Sequence, residues 1–139
     1  MIRKKVINPH RIRRIDGGFS FIPHRFLTDG FLSSLSQKEI LLYFFLVLAS
    51  DRHGLSFYAY DAVCCFLQFS VDDYVQARDG LIEKNLIDFD GTIYQVLELP
   101  SKPVQDSPKK LDHQWHRSEY RRHVKNIIQQ SLWEAQDDR

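Results

Sequence analysis

The side chains best placed to do chemistry in this chain are its cations. Arg3, Lys4, Lys5, Arg11, Arg13 and Arg14 fall within residues 1–15, where there is no carboxylate. Lys109, Lys110, Arg117, Arg121, Arg122 and Lys125 fall within residues 109–125, against two carboxylates. Between these ends, residues 51–99 carry nine carboxylates and three Arg/Lys. The net charge of +1 therefore conceals a basic arm, an acidic body and a basic tail. Runs of guanidinium and ammonium groups bind phosphates by displacing counterions, so both ends are candidate DNA contacts. In the tail, Trp115 and Tyr120 interleave aromatic faces with Arg121 and Arg122. The plainer alternatives are a solvated arm and an amphipathic tail helix whose charges face water.

Other chemistries find little support. His113, His116 and His123 share one face of a helical tail, and His at i and i+3 can bind a metal. No carboxylate or cysteine completes that set, so no metal and no cofactor are expected. Cys64 and Cys65 are adjacent, cannot staple distant segments and lack metal-site spacing, which suits a reducing, cytoplasmic setting. The chain has no Gly-rich phosphate loop, nucleophile elbow or Ser/His/Asp order. An enzyme acting on a small-molecule substrate is not expected. The N-terminus is charged with no apolar run behind it. The longest apolar run, Ile40–Ala49, has ten residues where a membrane-spanning helix needs about 20, so no membrane partner is expected.

The elements that must position these groups follow from periodicity and capping. Residues 1–18 predict an extended basic arm, in which Pro9 interrupts helix formation and which Gly17-Gly18 ends. Phe19, Phe21, Phe26 and Phe31 are too many aromatics to leave exposed, and predict a short strand and then a turn or a one-turn helix against the core. Ser36 and Glu39 form a capping box for a first full helix over 36–50 that is apolar nearly all round, hence central or shared with another subunit. Residues 55–58 predict a strand and 61–67 a second helix. Ser70 with Asp73 starts a third helix over 70–85. Its Val71, Tyr74, Ala77, Arg78 and Leu81 share an inward face, and Asp72, Gln76, Asp79 and Glu83 share the outward one. Strands over 86–89 and 92–99 flank Asp90-Gly91, a hairpin dipeptide. Residues 100–110 predict a proline-rich linker, and 111–139 hold a last helix. The class is α+β: a winged helix-turn-helix over 19–99, with a three-helix core and a β-hairpin wing.

The segments FIPHRFL, LSQKEILLYFFLVLASDRHGLSFYAYDAVCCFL and FSVDDYVQARDGLIEKNLIDFDG resemble the winged helix of bacterial replication-initiation and mobile-element proteins, DnaD-like N-terminal domains among them. The resemblance covers about residues 21–99 and lies at the level of fold. It implies a DNA-binding accessory or regulatory protein. The chain departs from the pattern in four places. Ala59 stands where a Ser or Thr cap is usual. Cys64, Cys65 and Phe66 replace a charged helix surface. Gln68 occupies the inter-helix turn where Gly is common, and the third helix exposes carboxylates where family members that read DNA carry Arg, Lys or amides. Gln76 is then the one candidate base reader, with phosphate contacts left to the arm and tail. A second function remains open. Asp72, Asp79 and Glu83, with the apolar Cys65 and Phe66, could bind a protein partner or a second copy of the chain.

Overall fold

The computed structural model describes residues 2–104 and, beyond them, Leu132 alone. The rest of the expected linker, the tail cations (Lys109, Lys110, Arg117, Arg121, Arg122 and Lys125) and the three tail histidines lie outside the described residues.

The described chain is mixed α+β. Four helices, α1 (Arg25–Thr28), α2 (Gln37–Ala49), α3 (Tyr60–Leu67) and α4 (Val71–Glu83), accompany three short strands, β1 (Leu55–Ser56), β2 (Ile87–Phe89) and β3 (Tyr94–Val96). The sheet is antiparallel in the order β1-β3-β2, with Ser56 and Phe89 both opposite Tyr94. One core joins all the elements, and Phe31, Leu42, Leu46, Val63, Leu81, Leu86, Ile87 and Tyr94 are almost wholly removed from water.

Both long helices begin on the capping boxes that their sequence advertises. Ser36 Oγ accepts the Glu39 amide while the Glu39 carboxylate accepts the Ser36 amide. Ser70 and Asp73 repeat the exchange at α4. Each box satisfies amides that a first helical turn leaves unpaired. By contrast Ala59 caps α3 with no side-chain hydrogen bond, and α3 ends on Gln68 at φ 57. A left-handed residue closes α3 before α4 begins, the backbone state that glycine adopts at least cost.

Glu39 does more than cap. Its carboxylate is buried and also accepts from Lys84 Nζ at 2.8 Å, and Lys84 in turn donates to the Ser34 carbonyl at 2.8 Å. A Cβ at Gly80 would sit 1.9 Å from Glu39 Oε2. The bare backbone of α4 is therefore what admits the carboxylate of α2, and the ion pair ties the start of α2 to the end of α4. The second close approach is at Gly54 (φ +83), where a Cβ would meet the Val96 carbonyl at 2.4 Å. That contact lets the turn 51–54 lie on β3, with the Val96 amide donating to Gly54.

Several expectations need correction. No strand forms over 19–23, and Phe19 and Phe21 are 70% and 76% exposed. Only Phe26 and Phe31 enter the core: Phe26, on the one-turn α1, stacks on Tyr43, and Phe31, just beyond it, stacks on Phe26. The arm, expected to be extended, carries a 3-10 turn over Pro9–Arg11 that Pro9 opens where its missing amide costs nothing, and no α-helix forms over residues 2–18. The hairpin loop lies one residue later than expected. The β2–β3 register continues to Asp90 opposite Ile93, with Gly91 (φ +99) and Thr92 as the loop. The Asp90 carboxylate accepts the Thr92 and Ile93 amides and so holds that register.

Gly80→Ala adds a good helix former, worth about 1 kcal/mol in an open helix. Here it is expected to lower stability by about 2 kcal/mol in urea titration, because it displaces a carboxylate from a buried pair. In a Glu39→Ala background the same substitution is expected to raise stability.

Candidate functional site

Helix α4 is rolled so that Tyr74, Ala77 and Leu81 face the core and Asp72, Gln76, Asp79 and Glu83 face water. The inward face is as expected except at its start, where Val71 is half exposed because the first turn overhangs the core. Arg78 sits on the flank. Its guanidinium lies 5.5 Å from the Tyr74 ring and 5.7 Å from the Phe89 ring, and pairs with Asp79 at 3.0 Å. Gln76 therefore stands among carboxylates on the outward face. Asp73, at the edge of that face, pairs with Lys38 of α2, and this cation is the first cause holding its carboxyl below the ordinary range.

Every residue from 2 to 19 is exposed, including Arg3, Lys5, Arg11, Arg13 and Arg14. Lys4 is exposed as well. Asn8 Oδ1 accepts the His10 amide and so shapes the 3-10 turn that precedes Arg13 and Arg14.

Two apolar surfaces remain. Cys65 and Phe66 on α3 are exposed, as expected, and the Phe66 ring rests 5.6 Å from Phe45. Leu41, Phe44 and Leu48 are exposed along one line of α2. The apolar character of α2 all round thus resolves into a buried side and an uncovered stripe. The second cysteine, Cys64, is half buried, and burial pushes its thiol up, with Asp61 and Asp73 acting in the same direction.

Sequence reasoning missed an aromatic concavity. A cleft of about 470 Å³ opens between the segment 57–60, the first two turns of α4 and the hairpin. Phe57, Tyr58, Tyr60, Tyr74, Phe89 and Tyr94 contribute six aromatic rings to it. The run Phe57-Tyr58-Ala59-Tyr60 was the available signal, hidden because part of it also fits an edge strand. At the floor the Tyr74 and Tyr94 hydroxyls hydrogen-bond to each other. Burial, and then that bond, hold the Tyr94 phenol far above the ordinary tyrosine range, and burial raises Tyr43 as well.

Among the described residues no helix is long and apolar enough to cross a membrane. No family model, curated protein or solved structure matches the chain.

Two measurements follow. Tyr74→Phe strands a buried hydroxyl and is expected to cost about 1–3 kcal/mol, while Tyr74→Phe with Tyr94→Phe recovers most of the loss. With pH, the unfolded chain ionises its tyrosines near pH 10, before the folded chain can ionise Tyr94. Stability is therefore expected to hold up to about pH 10 and to fall above it, with a shallower fall in Tyr94→Phe. On the acid side, Asp51 and Asp90 are held low by the amides they accept, Leu55 first for Asp51 and Ile93 first for Asp90. Their contribution is present above the ordinary carboxylate range and is lost as pH falls through and below about 4.

Proposed function

We propose that the chain is a winged helix-turn-helix accessory or regulatory protein of a bacterial replication or mobile-element system, associating with DNA through its basic arm and tail. The order α2, β1, α3, α4 and then the β2–β3 hairpin supports that fold. So do Gln68 and Asn85, which take φ of 57° and 61° where the resembling pattern carries glycine.

The observation that carries the DNA reading is the exposure of the whole cationic arm, together with an α4 whose outward side chains are carboxylates apart from Gln76. Phosphates are attracted to the first and repelled by the second. DNA is then gripped at its backbone by the arm, and α4 is not inserted as a base reader. Gln76, hemmed by Asp72, Asp79 and Glu83, loses the role that an outward amide would suggest.

A second function, protein interaction, draws on different surfaces. The stripe Leu41, Phe44 and Leu48, the exposed Cys65 and Phe66, and the acidic α4 face are suited to a partner or a second copy. Both functions fit a small adaptor that holds DNA at one place and protein at another.

Alanine at Arg3, Lys4, Lys5, Arg11, Arg13 and Arg14 tests the DNA reading in a gel-shift series on duplex DNA. Each phosphate contact contributes about 0.9 to the slope of log affinity on log salt, so the six substitutions are expected to flatten that slope by up to about 5. An unchanged slope contradicts DNA association through the arm.

A further inference from the structure

The aromatic cleft plays no part in binding DNA through the arm, and its occupant can be inferred independently of that reading. We infer that it receives an arginine or lysine side chain from a basic peptide segment of a protein partner. The first ground is the state of its rim. Phe57 and Tyr60 are 69% and 56% exposed, and both stand at the rim of one concavity. Among the described ring pairs Phe57 has none, and Tyr60 has only a 6.4 Å contact with Tyr74. Neither ring is needed to close the core.

The second ground is charge. Arg78 is the one charged residue in the lining, but the stretches 57–61, 71–79 and 88–92 that supply most of that lining also carry Asp61, Asp72, Asp73, Asp79, Asp88 and Asp90 around it, of which Asp73 is paired with Lys38. Asp61, Asp72 and Asp88 are exposed, and Arg78 is engaged by Asp79. A nucleobase could stack on the rings, but its phosphate would stand in an acidic surround. A guanidinium or ammonium gains from both features, since ring faces attract cations and carboxylates pair with them. The third ground is that the cleft already displays the contact. Arg78 lies over Tyr74 and Phe89 within 6 Å of each centroid, so an incoming cation at Phe57 and Tyr60 would extend an array that exists. The volume, about 470 Å³, suits one long side chain with its flanking backbone.

The test uses the full chain and a fluorescein-labelled hexa-arginine peptide, read by anisotropy, beside labelled oligo-dT. Hexa-arginine is expected to bind, and Phe57→Ala with Tyr60→Ala to weaken it about tenfold, while Phe57→Tyr with Tyr60→Phe keeps it within about twofold. Asp72→Asn with Asp88→Asn is expected to weaken it and to reduce its salt dependence. Both aromatic side chains are exposed, so the variants are expected to keep the wild-type circular dichroism. Three results overturn the inference. One is no binding of hexa-arginine. Another is binding that the double alanine variant retains in full, which places the peptide elsewhere on the acidic body. The last is oligo-dT binding lost in that variant, which makes the cleft a base-stacking site.

Discussion

The placement of one buried carboxylate governs the rest of this molecule. Glu39 caps α2, lies against the bare backbone at Gly80 and pairs with Lys84. A charge taken out of water needs each of its partners, since removing one leaves the other uncompensated. The three demands can be met together only at one crossing and one roll of α4 against α2. That roll puts Tyr74, Ala77 and Leu81 inward, and from there it decides where Arg78, the hairpin and the outward carboxylates go.

Function follows from that roll. With α4 locked, its outward face is Asp72, Gln76, Asp79 and Glu83. The position from which a helix-turn-helix would read DNA is therefore negative. The same roll brings Tyr74 under Tyr94 and sets Arg78 against Phe89, which builds the aromatic cleft. Cations that can meet phosphate stand instead on the arm, outside the core, where a change of charge does not disturb packing. In the proposed function, separating the two charges leaves the acidic body to basic surfaces and the arm to DNA.

Much of the fold was legible in the sequence because its signals are local. Ser36 with Glu39 and Ser70 with Asp73 mark both long helices, and both boxes form. The 3.6-residue period separates the inward and outward faces of α4 correctly from Tyr74 onward. Where the sequence misled, distant contacts decided the outcome. Glu39 and Lys84 are 45 residues apart and no periodicity links them. The helical period gives Gly80 no special place, and only the carboxylate beside it explains the missing side chain. Phe19 and Phe21 failed to enter the core because Phe26, Phe31 and Tyr43 already stack there, with Arg25 covering Phe31 and bonding the Leu99 and Pro100 carbonyls. The cleft was hidden for the same reason, since its six aromatics come from four separate stretches of chain.

The central claim is that the arm holds DNA and the outward face of α4 does not. Amide spectra of the isotope-labelled full chain, titrated with duplex DNA, test it residue by residue. The account predicts that the amides of residues 2–16 shift with DNA while those of Asp72, Gln76, Asp79 and Glu83 stay in place. Shifts centred on those four residues, with the arm unmoved, would contradict it.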